Sequence, residues 1–382
     1  MASKINIPDI YDKNVNFLIG SGASAGLFPT LSLQVRDDFG EKMTIESLAT
    51  AFEAASDARY IPLFMYYYTR CVRPAQLYDP ANVKSEDKIR VLDNYKTLLR
   101  TILTALQRRK PLDKRCNIFT TNYDSCFAHA ADALIEESAI DFVLNDGARG
   151  FRRKTLNARN FNSFLCQTGI FDRTQSSIPQ INLIHLHGSI YWKKEGTGIA
   201  VDYSNPATAD LIDKQTMNSL TPFSTSLWDD GLTYSEIPTP KITQSKLENF
   251  WTTYKQLPIV NPTKWKFHET VFDEHYYQML RLLSYELEKP NSILITFGFS
   301  FADEHILHLV ERSLSNPSLQ LFVCCYDSAQ YERVQKTFRA FKNVTCIQPG
   351  ASNINFDEFN RTVFTLESTL PDSAPTPGGD TP

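Results

Sequence analysis

Val15-Asn16-Phe17-Leu18-Ile19-Gly20-Ser21-Gly22-Ala23-Ser24-Ala25 is the stretch on which the reading of this chain turns. Its first five residues, mostly Val, Phe, Leu and Ile, suit a strand buried on both faces, as in a parallel sheet. Glycine is scarce in the chain, 15 of 382 residues, yet Gly20, Gly22 and Gly26 fall within seven positions. Such a cluster needs a local cause. A strand ending in a glycine turn, with helical sequence beyond, is the context a phosphate-binding turn requires. Glycine lets the backbone bend sharply and approach a pyrophosphate closely. The same residues also suit an ordinary β–α turn, and G-x-G-x-x-A alone does not separate the two.

Outward from this stretch the pattern alternates. Ile45, Leu48, Ala49 and Phe52 recur at helical spacing, as do Ile89, Leu92, Tyr95, Leu99, Ile102, Leu103 and Leu106 in a longer stretch ending before Pro111. Apolar strands are expected at 117–120, 181–186, 292–297, 319–325 and 344–347, with helices at about 125–137, 273–288, 303–315 and 328–341. Short apolar strands alternating with helices predict an α/β, Rossmann-like doubly wound parallel sheet. The basic stretch 145–160 reads as a loop, its Arg149, Arg152, Arg153, Lys154 and Arg159 either a solvated face or an anion or subunit contact. One catalytic domain is expected over 1–366, with a helical insertion at about 31–110 and an irregular one at about 194–266. The Pro/Gly/Ser/Thr-rich tail, 367–382, reads as disordered.

Hydrophobic residues make up 42% and charged residues 21%, enough for a sizeable core. A net charge of −4 argues against coating nucleic acid or an anionic membrane by bulk electrostatics, so direct nucleic-acid binding is not expected. The first residues lack a charged-then-apolar secretory pattern, and no apolar run approaches the ~20 residues that span a bilayer. The seven cysteines are never spaced C-x-x-C, which speaks against a disulfide framework or a thiolate zinc ribbon. The expectation is a reduced, cytoplasmic protein without a membrane segment.

Three further polar clusters stand at expected strand ends. Thr120-Thr121-Asn122-Tyr123-Asp124 lies at the edge where open α/β sheets bind ligands, although Asn122 or Asp124 would equally cap the following helix. In His185-Leu186-His187-Gly188-Ser189 the two histidines share a face. No third metal ligand has matching spacing. His185 suits a structural role, and His187, at the strand tip, a catalytic one. Phe297-Gly298-Phe299-Ser300-Phe301-Ala302-Asp303-Glu304 again ends a strand and opens a helix. Ser300 or Asp303 would cap it, or Ser300 would meet a ribose or phosphate oxygen.

In this order the four clusters resemble the sirtuin fold family, and are most like the sirtuin-like NAD hydrolases of bacterial anti-phage defence. The resemblance implies that Gly20, Gly22, Ala23 and Ser24 cradle the NAD pyrophosphate, with Thr121 also at the nucleotide. It makes Asn122 the residue that orients the nicotinamide ribose and an attacking water. Asp124 then lies near the nicotinamide amide, His187 is the catalytic histidine, and Gly298 and Ser300 contact the adenosine side. Deacylating sirtuins carry four zinc cysteines between the last two motifs, and this chain has none there. Where they carry Pro-Asp-Phe-Arg, this chain has Phe28-Pro29-Thr30-Leu31. Both departures point to NAD cleavage without zinc, giving nicotinamide and ADP-ribose or its cyclic form. The resemblance further implies a regulated effector that depletes NAD, a homo-oligomer, and a HerA-type hexameric ATPase as partner.

Two other readings stand beside it. A dehydrogenase would use Asp37 or Asp38 for the ribose, with Leu31–Val35 as the preceding strand. A non-catalytic module would sense NAD or ADP-ribose, or act on DNA through the basic loop.

Overall fold

A computed structural model describes residues 5–110, 112–168, 175–204, 210–261 and 271–366. Seven strands form the central sheet: β1 (Asn14–Ile19), β2 (Arg115–Thr120), β3 (Val143–Asn145), β4 (Gln180–His185), β5 (Ser292–Phe297), β6 (Gln320–Cys324) and β7 (Val344–Ile347). All pair in parallel, in the spatial order β7-β6-β5-β1-β2-β4-β3. From β1 the chain moves toward β2, whereas from β5 it moves the other way, toward β6. The crevice beyond the C-terminal ends of β1 and β5 is therefore the topological switch point of a Rossmann-like doubly wound fold.

The alternation within β1 explains the two-sided burial. Phe17 and Ile19 enter one apolar cluster with the helices Glu86–Gln107 and Cys126–Glu136. Leu18 enters the opposite cluster, with Met279, Leu283, Ile306, Val310 and Val334 of the helices Val271–Glu288, Glu304–Ser313 and Ser328–Phe338. Asparagines cross the sheet in register. Asn117 donates to Asn16 (2.8 Å), Asn182 to Asn117 (2.8 Å) and Asn145 to Asn182 (2.9 Å). A one-residue slip in any of these strands would break the series and exchange its side chains between the two apolar clusters.

The two insertions are not separate appendages. Leu33, Val35, Leu48, Phe52, Phe64 and Tyr67 from the first share one apolar cluster with Leu220, Phe223, Phe250 and Tyr254 from the second. The long helix Glu86–Gln107 packs instead on the sheet through Tyr95, Leu99, Ile102 and Leu106, so the first insertion gives way to the sheet layer before position 86. The stretch read as irregular holds the helices Lys214–Ser226 and Gln244–Tyr254. Ser219, Thr221, Ser224 and Thr225 in the first bond carbonyls one turn back, which satisfies their hydroxyls locally, while Leu220 and Phe223 anchor this Ser/Thr-rich, Pro222-containing helix in the core. The basic stretch also departs from a plain loop. Ala148–Arg149 and Thr155–Leu156 are two-residue strands, too short for alternation to reveal, in a small sheet with Trp192–Glu195 and Gly198–Val201. The tail, 367–382, lies outside the described residues. Among the described residues no helix is long and apolar enough to cross a membrane.

Candidate active site

Four loops meet at the C-terminal edge of the sheet. After β1, Ser21–Ser24 forms a single 3₁₀ turn, and a hairpin, Ser32–Arg36 with Lys42–Thr44, precedes the first α-helix, Ile45–Ala54. The loop after β5 lies directly against it. Gly20 N–H donates to the Phe297 carbonyl (3.0 Å) and Gly22 N–H to the Gly298 carbonyl (2.9 Å). A Cβ on Gly20 would fall 2.5 Å from Gly298 O, and one on Gly298 2.5 Å from Ala23 N. Gly298 also has φ +64°, a conformation favouring glycine. Backbone-to-backbone contact thus demands these glycines by itself. Ala23 N–H bonds the Gly20 carbonyl (3.0 Å), so the amides of Gly20, Gly22 and Ala23 are all engaged by protein carbonyls. Ser21 and Ser300 are exposed, and Ser300 Oγ accepts from Ala302 N–H (3.4 Å).

Ser24 turns inward and joins the β2 loop. Its hydroxyl donates to Asp124 Oδ2 (2.8 Å) and accepts from Asn122 Nδ2 (3.2 Å). Its remaining lone pair takes the Tyr95 hydroxyl hydrogen (2.7 Å). Burial, then the Asp124 charge, pushes the Tyr95 phenol far above its usual range, so it stays a donor. This saturated serine holds the Asn122 amide with its nitrogen inward, and among the described residues no donor reaches Asn122 Oδ1. Asp124 Oδ1 accepts from Cys126 N–H (3.0 Å) at the start of the helix Cys126–Glu136. One carboxylate thus ties the start of this helix to Ser24 of the β1 loop. Thr121 is partly buried, its N–H on the Ile19 carbonyl (3.2 Å).

The β4 loop sits beside the β2 loop because Thr120 and His185 are register partners. His185 is buried and donates from Nδ1 to the Asn122 carbonyl (2.9 Å), and burial depresses its pKa below the usual imidazole value. It braces the β2 loop, and its Nε2 is buried without a hydrogen-bond partner among the described residues. His187 Nε2 lies 2.9 Å from Asp303 Oδ2, with side-chain exposures of 17% and 6%. Strands β2 and β1 separate β4 from β5, about 14 Å at three strand spacings. The His187–Asp303 pair therefore arches over the ends of the two central strands. Asp303 Oδ1 meanwhile caps the helix Glu304–Ser313 through His305 N–H (3.0 Å) and Ile306 N–H (3.2 Å). Gly188, at φ +78°, lies where a Cβ would fall 2.1 Å from Pro258 O, and Val260 N–H bonds the His187 carbonyl (2.9 Å). The second insertion thereby fastens the histidine loop.

Every proposed site residue lies on this edge. The bonds of the Asn122 amide run to Ser24 and Tyr95, and that of His187 Nε2 to Asp303. Two contributors carried weaker signals in sequence. Tyr95 sits on an otherwise aliphatic helix face, its hydroxyl the only hint. Asp303 looked like a helix cap and nothing more. Phe301, two residues before it, has φ +57°, strain unusual for a bulky side chain. Among the described residues no group of three or more His, Cys, Asp or Glu is placed to hold a metal ion. No family model matches the chain, and no curated protein matches it.

Proposed function

We propose that the chain hydrolyses NAD at the nicotinamide–ribose bond, releasing nicotinamide and ADP-ribose, in the manner of the sirtuin-like hydrolases its motifs resemble. The reading rests on one observation above the others. At the switch point, where such sheets bind ligands, a buried amide and a carboxylate-held imidazole stand on neighbouring loops. Both are braced by the loops after β1 and β5.

The chemistry suits these groups. Nicotinamide leaves as a neutral pyridine, so rupture of the bond calls for an oriented water and a preorganised site more than for a strong acid. Asn122 Oδ1, fixed through Ser24, accepts a hydrogen bond from water. The Asp303 carboxylate on Nε2 fixes the tautomer and orientation of the His187 ring. As the water oxygen bonds to the anomeric carbon, the C–N electron pair departs with nicotinamide and the water proton passes to His187. Asp124, with both oxygens engaged by protein donors, acts as a positioning residue through Ser24.

The dehydrogenase reading has less support. Ser32–Arg36 pairs in a hairpin with Lys42–Thr44, outside the central sheet, and Asp37 caps that hairpin's turn through Phe39 N–H (2.9 Å) and Glu41 N–H (2.8 Å). A dinucleotide-binding acid belongs at the end of a strand beside β1. Regulation by self-assembly or by a HerA-type ATPase belongs to the same proposal, since uncontrolled NAD loss would kill the host. The test is incubation of the purified protein with NAD, alone and in lysate of phage-infected cells, with products quantified by mass spectrometry. Equimolar nicotinamide and ADP-ribose are expected. Intact NAD under both conditions, or NADH formed with candidate alcohols, contradicts the proposal.

A further inference from the structure

The basic stretch beyond β3 lines an open surface cavity. Arg149 and Thr155 are cross-strand partners, while neighbouring Leu156 is buried in the core. Together with Asn157, Arg159, Asn160 and Ser163 they line a cavity of about 540 Å³, within the size range of small-ligand pockets. No carboxylate is among these lining residues. Neither Arg149 nor Arg159 has an ion-pair partner among the described residues, whereas adjacent Arg153 lies 3.5 Å from Glu195. The frame is held without the arginine side chains. Asn160 Nδ2 bonds the Gly147 carbonyl (2.8 Å), Asn157 N–H bonds the same carbonyl (3.0 Å), and Asn157 Oδ1 accepts from Arg159 N–H (3.1 Å). Gly150, at φ +139°, permits the turn that carries Arg152, Arg153 and Lys154 alongside.

Two guanidinium groups, two hydroxyls and no competing acid match the oxygens of a phosphate, which arginine binds in a bidentate fork. We propose that this cavity binds the phosphate groups of an anionic ligand, at a site sharing no residue with the crevice. Arg149 and Arg159 are its anchors, and Thr155 and Ser163 supply hydroxyl donors. The net charge of −4 bears on the whole surface and not on this pocket.

Isothermal titration with pyrophosphate, AMP and a short oligothymidylate tests the site. Saturable binding is expected to weaken at least about tenfold in the Arg149→Ala/Arg159→Ala double variant with unchanged circular dichroism. Arg159→Glu, a charge reversal at an exposed position, is expected to weaken it likewise. Binding of pyrophosphate and AMP assigns the site to a small phosphorylated ligand. Binding of the oligonucleotide alone, falling steeply with salt, assigns it to a nucleic-acid backbone. Both outcomes support phosphate recognition. Absence of saturable binding for all three probes, or equal binding by wild type and both variants, overturns it.

Discussion

Asp303 uses its two oxygens for different tasks, one holding a helix end and the other an imidazole. Replacing it by Asn keeps much of the cap but removes the charge that fixes the His187 tautomer. Asp303→Asn is therefore expected to lower NAD turnover strongly and to alter its pH profile, with little change in KM. For Asn122→Ala and His187→Ala, loss of the water-orienting group or the base should cost about 10²–10⁴-fold in kcat, read as nicotinamide release from protein of wild-type circular dichroism. Undiminished turnover in both would remove the mechanism. Ser24→Ala tests the inner bracket. It leaves Asn122 and Asp124 in place but frees the amide to rotate, so kcat should fall by less than in Asn122→Ala.

At the scale of elements, six of the seven central strands were legible because each is an apolar run between turn signals, and β5 and β7 coincide with their expected spans, whereas the three-residue β3, Val143–Asn145, was not expected. Helix 328–341 ends at Phe338, since apolar spacing marks a face better than an end. Legibility failed where tertiary pairing supplies the reason for structure, as in the two-residue strands around Arg149 and the Ser/Thr-rich helix Lys214–Ser226. The site divides likewise. Asn122, Asp124 and His187 announce themselves at strand ends. The brackets formed by Tyr95 and Asp303 become visible only when the β1 and β5 loops are brought together. That junction is itself testable. Gly298→Ala would force a Cβ into a left-handed residue, about 1–2 kcal/mol, and against Ala23 N. Chemical denaturation should show a loss of at least that size, and an unchanged midpoint would refute the close contact.

For the whole molecule, the two insertions share one core and its second half reaches back to the His187 loop. Folding of the insertions and geometry of the crevice are thereby linked. Burial depresses the pKa of His129, His185 and His275. Unfolded imidazoles, titrating near pH ~6.5, then bind protons more readily than the folded ones. Stability is full above about pH 6.5 and declines as pH falls toward the depressed folded values. The thermal midpoint should drop between about pH 7 and about pH 5. His185→Asn, whose amide can reach the Asn122 carbonyl, should blunt that drop, and a flat profile in wild type would contradict it. The most direct test of the molecule as an NAD hydrolase is a crystal structure with a carbocyclic, uncleavable NAD analogue. The nicotinamide-bearing sugar is expected between the Asn122 amide and the His187 imidazole, within reach of both. An analogue seated elsewhere, or a sugar carbon touched by one group while the other faces a separate cavity, would contradict the assignment.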